Sequence, residues 1–320
     1  MKLFDTTSII FPGLGIEIDP PEGFCLPGTD FEIKFYGAII ALGVVLAVAY
    51  ALWQCRRYGL TSDDIYNIVL VGIPCAIVGA RMYYVISRWD SYFAPGVPWY
   101  KFLSIRDGGL AIYGGILGAV AGLLVFFLSR RARRGKLLAS FDIGGFGLLI
   151  GQLVGRWGNF FNREAFGSYT DNPLAMRISE SRLHVGDQVG KDFLAQVELL
   201  RSRAVEGGYA GMIQVHPTFL YESLWNLAGL VLLHFLSRKR RFDGQMFLCY
   251  LFWYGLGRTW IEGLRMDSLG SGAIRYSQVL AIVSCVLAAG AVVWMLCVKK
   301  PDPERMLVHR RAREQAGTEE

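Results

Sequence analysis

Apolar runs of about 20 residues, the length a helix needs to cross a bilayer, alternate with short polar connections along this chain. Seven such runs stand out: Tyr36–Gln54, Ile65–Ile86, Leu110–Leu128, Phe141–Phe161, Pro217–Leu236, Met246–Leu264 and Tyr276–Val298. The pattern predicts an all-α polytopic membrane protein, a bundle of seven transmembrane helices. The long connection 166–215 has mixed polarity and predicts a small external head. Within it, Phe193–Val205 has the pattern of an amphipathic helix on the membrane surface.

Basic clusters give the predicted bundle an orientation. They follow the first, third, fifth and seventh runs, whereas the other connections are less basic. Because Lys and Arg are enriched in cytoplasmic loops, this alternation predicts an external N-terminus and a cytoplasmic C-terminus. The expected divisions are an external segment 1–35, a transmembrane domain 36–298 that includes the head 166–215, and a cytoplasmic tail 299–320.

Composition agrees with a membrane protein. Of the 320 residues, 53% are hydrophobic, and the mean hydropathy is +0.34. The net charge of +6 comes from the clusters between runs, which fits the positive-inside rule better than a nucleic-acid partner. The six cysteines form no CxxC pair, and no His/carboxylate spacing is typical of a metal site. We therefore expect no metal, cofactor or disulfide framework. Met1–Gly15 lacks the apolar core of a cleaved signal peptide.

Two of the runs carry glycine at every fourth position. In the third run these are Gly114, Gly118 and Gly122, and in the fourth they are 147, 151 and 155. Small residues at this spacing let helix backbones approach closely. The ladders predict that these two helices pack tightly in the bundle core.

The segment Gly155–Gly167, with the sequence GRWGNFFNREAFG, brings five polar side chains into the end of the fourth run. Ionisable groups at membrane depth are costly and usually face a protein interior or a wet cavity. A helix that ends at the lipid headgroups would explain a single arginine, but not five polar side chains in one short segment. The segment therefore predicts a functional site, and its polar side chains are Arg156, Asn159, Asn162, Arg163 and Glu164.

The predicted orientation places polar groups of six runs near the outer face, with Asp142 as an exception at the inner one. The remaining groups are Tyr36, Arg81, Tyr113, Arg156, Glu164, His216, Tyr221, Glu222, Arg258 and Glu262. Arg258, Glu262 and Arg265 share one helix face, and so do Arg156, Asn159 and Arg163. Since the planar guanidinium suits phosphate, two arginine faces directed into one cavity predict an anionic head group as ligand.

These motifs resemble those of the bacterial prolipoprotein diacylglyceryl transferases. The resemblance covers nearly all seven runs and is strongest at GRWGNFFNREAFG, at HPTFLYES (His216–Ser223) and at YGLGRTWIEGLR (Tyr254–Arg265). Shorter matches are FYG at Phe35–Gly37, GAR at Gly79–Arg81 and GGLAIYGG at Gly108–Gly115. Many members have histidine where this chain has Tyr113.

The resemblance implies a transferase that acts on phosphatidylglycerol. Its diacylglyceryl group would pass to the lipobox cysteine thiol of a preprolipoprotein, just after the signal peptide, which gives a thioether and glycerol phosphate. No covalent enzyme intermediate or cofactor is needed, because the acceptor cysteine supplies the sulfur. Phosphatidylglycerol and the preprolipoprotein are therefore the expected partners, and the expected site lies near the outer face.

Four residues are the expected catalytic set. Arg156 and Arg258 would stabilise the departing phosphate, as fixed positive groups do in a dry site. Glu164 is the first candidate for the acceptor of the thiol proton, with Tyr113 or His216 as runner-up. An unperturbed tyrosine, with a pKa near ~10, is a poor base at neutral pH, so Tyr113 either positions a substrate or leaves the proton to another group.

The expected substrate-binding residues are Tyr36, Arg81, Asn159, Asn162, Gly167, His216, Tyr254, Glu262 and Arg265. Several have structural alternatives. Asn159 and Asn162 would otherwise satisfy a helix terminus, and His216 would cap the helix that begins beside Pro217. Glu262 would otherwise only pair with an arginine, and Arg81 would either bind lipid headgroups or snorkel.

A transporter or flippase for an anionic lipid is the alternative function. Transporters often contain internal repeats and discontinuous helices near the midplane. This chain has no visible repeat, and its polar groups are predicted at one face. A receptor or scaffold would not explain several buried charges.

Overall fold

A computed structural model describes residues 8–25, 27–28, 32–104, 108–183, 191–266, 270–271 and 274–316. The described chain is mostly helical, at 71%. Its longer helices are α1 Phe35–Gln54, α2 Ser62–Ser87, α3 Ile112–Leu128, α4 Leu137–Asn162, α5 Lys191–Glu206, α6 Thr218–Leu236, α7 Gln245–Leu264, α8 Tyr276–Val293 and α9 Leu307–Ala316. Parts of the predicted segments, residues 1–7, 184–190 and 317–320, lie outside the described residues.

In the described part of the chain, five helical segments are long and apolar enough to cross a membrane. They correspond to α1, α2, α4, α6 and α8, and their full extents are Phe35–Tyr58, Ser62–Ser87, Leu137–Asn162, Thr218–Lys239 and Ser277–Lys299. The apolar helix α3 is shorter, and α7 carries Arg258 and Glu262 in its second half. A membrane protein is thus supported, while the count of seven spans stays a prediction.

The chain is mostly helical as expected, but it is not purely α, because it also contains short strands, four of which form an antiparallel sheet. Its strands are β1 Ile9–Phe11, β2 Ile16–Ile18, β5 Met176–Ser179 and β6 Met212–Val215, in the order β2-β1-β5-β6. Ile9 pairs with Ile178, so the N-terminal segment joins the long connection. The remaining strands form two small hairpins, β3 Gly23–Cys25 with β4 Glu32–Lys34, and β7 Gly270–Ser271 with β8 Ile274–Arg275.

Helix α5 covers this sheet. Val197 and Leu200 lie in one hydrophobic cluster with Ile178 and Ile213 of the strands, and Ala204 is fully buried. The predicted amphipathic helix is therefore present, but its placement on the membrane surface is wrong. Its buried apolar face packs on protein, because the sheet offers the apolar surface that the sequence alone did not reveal.

The chain forms two compact units. The first contains Met1–Ala49, Gly145–Arg240 and Gln245–Pro301, and the second contains Tyr50–Gly144, Arg241–Gly244 and Asp302–Glu320. The first unit holds the sheet and most of the predicted site residues. Arg81 and Tyr113 belong to the second.

Glycines set the close helix contacts within each unit. In the second unit a Cβ on Gly118 of α3 would lie 2.2 Å from the carbonyl oxygen of Cys75 in α2, so the tight packing predicted for the third helix is confirmed. In the first unit the α4 ladder faces α1, where a Cβ on Gly155 would lie 3.4 Å from Ile40 Cδ1. That distance is an ordinary van der Waals contact, and a Cβ on Gly151 would meet nothing within 4 Å, so the tight packing predicted for the fourth helix is not found at its glycine ladder.

Two tryptophans fix α6 against α7. The rings of Trp225 and Trp253 stack with centroids 4.4 Å apart. Each indole Nε1 donates to the carbonyl of the other residue, at 3.1 and 3.0 Å. Gly229 and Gly257 make room, since a Cβ on either would lie within 2.4 Å of the facing indole. This contact aligns the two helices one turn away from Glu222 and Arg258.

Candidate active site

Glu222 of α6 is the centre of an arginine cluster in the first unit. Its carboxylate lies 2.6 Å from Arg156 Nη2 of α4, 3.4 Å from Arg258 Nη1 of α7, and 3.7 Å from Arg265 Nη1 just beyond α7. The Glu222 side chain is only 6% exposed. Three guanidiniums, one from α4 and two from α7 and its end, therefore share one buried carboxylate.

A second carboxylate completes the cluster. Arg258 Nη2 lies 2.7 Å from Glu262 Oε2, and Ser277 at the start of α8 donates its hydroxyl to Glu262 Oε1 at 2.5 Å. Glu262 is 2% exposed. Three arginines against two glutamates leave the cluster with a formal charge of +1, which favours an anionic ligand.

The space inside this cluster is small. The cavity is lined by Glu222, Trp225, Asn226, Tyr254, Gly257, Arg258 and Ile261, and its volume is about 10 Å³. A cavity needs roughly 10–15 Å³ to hold one water molecule. A phosphate is larger than that. A phosphate could enter only if side chains moved. Glu222 is the anionic group that occupies the position where a phosphate would contact the guanidiniums.

A polar chain extends from Arg156 to Glu164. Arg156 Nη1 donates to Asn159 Oδ1 at 3.4 Å, and Asn159 Nδ2 donates to Glu164 Oε1 at 2.8 Å. Asn162 Nδ2 reaches the same oxygen at 3.4 Å. The two amides therefore hold the Glu164 carboxylate beside the arginine cluster. The alternative that Asn159 and Asn162 only satisfy the backbone of a helix terminus does not account for these contacts.

Arg163 does not join the cluster, contrary to the expectation that it shares a helix face with Arg156 and Asn159. Helix α4 ends at Asn162, and Arg163 has a φ of +54°. Its buried guanidinium donates to Ser8 Oγ at 2.7 Å, Asp19 Oδ1 at 3.1 Å and the Pro20 carbonyl at 2.6 Å. Its role is thus to fasten the N-terminal segment to the end of α4.

Gly167 lies at a crossing of three backbone segments. Its N–H donates to the His216 carbonyl at 3.0 Å, and it forms a β-bridge with Arg265. A Cβ at this position would lie 2.7 Å from His216 Cβ and 3.0 Å from the Leu264 carbonyl oxygen. A residue without a side chain therefore lets His216 and Arg265 approach the same point.

His216 faces Tyr221, one turn into α6. Its Nδ1 lies 3.3 Å from the Tyr221 hydroxyl, which accepts a hydrogen bond from Asn172 Nδ2 at 2.9 Å. That hydroxyl can then donate to Nδ1. Burial lowers the pKa of His216 below its usual 6.5, because desolvation disfavours the charged form. At neutral pH the imidazole is therefore uncharged, as a general base must be.

Two further predicted residues are tyrosines of the first unit. Tyr254 lines the small cavity beside Arg258. Tyr36, in the first turn of α1, packs its ring against Gly158, where a Cβ would lie 2.8 Å from Tyr36 Cδ2. The glycine therefore keeps Tyr36 close to the helix segment that carries Arg156 and Asn159.

In the second unit Arg81 neither snorkels nor leaves its guanidinium open. Its Nε donates to the Phe102 carbonyl at 2.7 Å, and Nη2 donates to the Lys101 carbonyl at 3.0 Å. Nη1 donates to the carbonyls of Gly108 and Gly109, at 2.9 and 3.0 Å. The alternative of snorkelling is therefore wrong, because the 8% exposed residue fastens the loop before α3. Tyr113, in the first turn of α3, is 49% exposed.

Comparison with known proteins adds the decisive observation. The model of the family described as prolipoprotein diacylglyceryl transferase matches residues 24–294. The chain belongs to this family.

Individual relatives in the transferase family support this assignment. The phosphatidylglycerol–prolipoprotein diacylglyceryl transferase of Bacillus anthracis (strain CDC 684 / NRRL 3495) is 39% identical over 258 residues, which cover 81% of this chain and 86% of that protein. The protein of the same name from Bacillus cereus (strain B4264) is 39% identical over 262 residues, with the same two coverages.

Several residues at this transferase-family site were not among the predicted site residues. Glu222 was predicted only as one of the polar groups near the outer face, although a carboxylate in an apolar helix is a signal for a buried ionic partner. Ser277 and Asn172 gave no such signal, since a lone hydroxyl or amide is common in turns. In the described part of the chain, no group of three His, Cys, Asp or Glu side chains is placed to hold a metal ion.

Proposed function

We propose that this chain transfers the diacylglyceryl group of phosphatidylglycerol to the lipobox cysteine thiol of a preprolipoprotein. The observation that carries the proposal is the cluster of three arginines around the single carboxylate of Glu222, in a chain of the transferase family. A phosphate ester is the anionic group that such a cluster suits. The names of the relatives supply the two substrates.

The reaction replaces a carbon–oxygen bond by a carbon–sulfur bond. The acceptor sulfur attacks the glycerol carbon that bears the phosphate, and the electron pair of the broken C–O bond leaves on the phosphate oxygen of glycerol phosphate. The thiol proton passes to a base, because the thiolate is the nucleophile. Attack on phosphorus would give a different product, so the site has to align sulfur, carbon and leaving oxygen.

Arg156 and Arg258 bind the phosphate as it gains charge. Both guanidiniums contact Glu222, so the phosphate takes over contacts that this carboxylate makes. Glu262 keeps Arg258 oriented through its 2.7 Å ion pair during the exchange. Arg265 adds positive charge at the rim, and Tyr254 and Tyr36 contact the glycerol portion. Once the phosphate has replaced Glu222, these donors stabilise the charge that develops on its oxygens.

Glu164 is our candidate for the base that accepts the thiol proton. The described hydrogen bonds to its carboxylate, from Asn159 and Asn162, both reach Oε1, which leaves Oε2 for the proton. His216 is the runner-up, since its imidazole is neutral and faces Tyr221. Asn159, Asn162 and the backbone crossing at Gly167 keep these groups in place.

The remaining predicted residues have supporting roles. Arg81 positions the Gly108–Gly109 loop and does not bind lipid directly, because its guanidinium already donates to four carbonyls. Tyr113 positions a substrate. The protein crosses the bacterial plasma membrane seven times, with its N-terminus and the head outside, so that the site meets both substrates at the outer face. Both substrates reach the site laterally from the bilayer.

The test uses purified protein, phosphatidylglycerol and a lipobox peptide. We expect a diacylglyceryl thioether and free glycerol phosphate, both measured by mass spectrometry. A peptide with serine in place of cysteine is the control and should give neither, because a hydroxyl is far less acidic than a thiol. Lipid movement between leaflets without thioether would instead support the flippase alternative, which the family assignment does not favour.

A further inference from the structure

A second polar cavity lies in the region formed by the sheet, α5 and the loop after α4. This head cleft has a volume of about 660 Å³, far larger than the cavity at Glu222, and it lies wholly within the first unit. It is lined by Tyr169, Asp171, Arg177, Arg203, Glu206, Gly207, Tyr209 and Gln214. None of these residues has a role in the reaction described above.

Two arginines of the head cleft lie over tyrosine rings. Arg177 Cζ lies 4.0 Å from the centroid of the Tyr209 ring, and Arg203 Cζ lies 4.3 Å from that of Tyr169. Arg177 Nε also donates to Gln214 Oε1 at 2.9 Å. Among the described residues neither guanidinium has an ion-pair partner. Stacking uses the face of a guanidinium and leaves its N–H edges for an acceptor.

Carboxylates in the same cleft narrow the ligand class. Asp171 lines the cleft two residues after Tyr169, and Glu206 lies at the end of α5. Two carboxylates would repel a phosphate headgroup. An extended polypeptide, in contrast, offers carbonyls and acidic side chains to the arginines and N–H groups to the carboxylates. The mixed charge therefore favours a peptide over a lipid.

Hydrogen bonds connect the head cleft with the candidate active site. Gln214 Nε2 donates to the Thr170 carbonyl at 2.7 Å, and Asn172, two residues later, donates to Tyr221 beside His216. Gln214 itself is two residues before His216, which corresponds to about 7 Å of extended chain. A peptide whose cysteine lies at the site would span this distance with a few residues.

We propose that the head cleft binds the polypeptide segment that follows the acceptor cysteine of the preprolipoprotein. The proposal rests on the proposed function, because it assumes that this cysteine is presented beside Glu164 and His216. The signal-peptide side of the acceptor is apolar and belongs in the bilayer, so a polar cleft suits the other side. Arg177 and Arg203 bind carbonyl or carboxylate oxygens of that segment, and the tyrosines give it a rigid floor.

The experiment compares two acceptor peptides in the thioether assay. The short peptide ends one residue after the cysteine, and the long one continues for about ten residues with several acidic positions. We expect the long peptide to have a KM about fivefold lower for the wild type, the scale of a partly exposed charge contact. Arg177→Gln and Arg203→Gln should each remove most of this difference, with kcat and the KM for phosphatidylglycerol unchanged.

Arg201→Gln is the matched control. Arg201 lies on the same helix as Arg203, is exposed, and pairs with Glu180 and Glu198 outside the cleft. It should preserve the preference for the long peptide. Arg203 is itself exposed, so its replacement tests the proposal even if Arg177→Gln lowers the unfolding temperature.

The possible failures are distinct. If the wild type makes no thioether with either peptide, the proposed function is wrong. If thioether forms but the wild-type KM for the acceptor peptide does not depend on peptide length, the head cleft does not bind the acceptor. The same conclusion follows if the dependence on length is equally strong in the Arg203→Gln variant. A rise in the KM for phosphatidylglycerol, with that for peptide constant, would instead identify a lipid headgroup as the occupant and overturn the proposal.

Discussion

At the scale of single residues, the site depends on the shape of its guanidiniums as well as on their charge. Arg156→Lys and Arg258→Lys keep the charge but lose the planar pair of donors. We expect each to lower turnover about 10²–10³-fold, the scale for losing one preorganised donor. The measurement is thioether formation in detergent micelles, beside thermal unfolding as a check of folding.

Arg81→Lys is the comparison for these variants. Its guanidinium contacts four backbone carbonyls in the second unit, so its loss should affect stability more than the chemical step. Near wild-type turnover in both Arg156→Lys and Arg258→Lys would contradict the phosphate-binding role.

The pH dependence of stability tests the environment of His216. Because burial lowers its pKa below 6.5, the folded protein binds fewer protons here than the unfolded chain at mildly acidic pH. The stabilisation by neutral His216 is complete above about pH 6.5 and decreases as pH falls from there towards the folded pKa. Unfolding temperatures between pH 7.5 and 5.5 should fall less steeply in His216→Gln. Equal slopes in both proteins would show that His216 is not desolvated.

Sequence reasoning at this scale identified the arginines but misplaced one of them. The positions of Arg156, Asn159 and Arg163 predict one face only if the helix continues through Arg163. It ends at Asn162, and the positive φ of Arg163 turns the side chain towards Ser8 and Asp19. Glu222 was hard to place for another reason. Its partners come from α4 and from α7 with the residue just beyond it, and the sequence does not show that both meet one carboxylate of α6.

At the scale of elements, glycine contacts decide how α2 and α3 pack. A side chain at Gly118 would meet the Cys75 carbonyl at 2.2 Å, and backbone has little freedom to move away. Gly118→Val should therefore destabilise the protein by about 1–3 kcal/mol or more, the usual cost of overpacking. Thermal unfolding in detergent is the measurement.

Gly72→Ala is the control for this variant. Gly72 lies on α2, and its nearest neighbour would be Leu123 Cδ1 at 3.9 Å, so its replacement should have little effect. Equal destabilisation by the two changes would mean that the close α2–α3 contact is not what Gly118 provides.

The helices could be predicted because each apolar run is long, whereas the strands could not. Strands β1 and β2 have three residues each, which is too short for an alternating pattern to be distinguished from a loop. Because the sheet was not predicted, α5 was assigned to the membrane surface. An amphipathic helix shows that an apolar partner exists, and the sequence does not say whether that partner is a bilayer or a sheet.

At the scale of the whole molecule, the orientation in the membrane is open to a direct test. In a variant without its six cysteines, Ser202→Cys on α5 and Arg131→Cys between α3 and α4 place single thiols at exposed positions. A membrane-impermeant reagent applied to intact cells, with the outer barrier permeabilised, should label position 202 and not position 131. Both should react once the membrane is dissolved. Labelling of position 131 alone would invert the orientation and move the site to the cytoplasmic face.

The pairing of β1 with β5 has a consequence for the order of folding. Ile9 pairs with Ile178, so 169 residues of synthesis separate the two partners. At about 5–20 residues per second, the N-terminal strand waits roughly 10–30 s before its neighbour exists. During that interval its apolar residues and the acceptors for Arg163 lack their native contacts. Until β5 has been synthesised, the apolar residues of β1 have no partner strand on that side, which makes the nascent N-terminus a segment that a chaperone can bind.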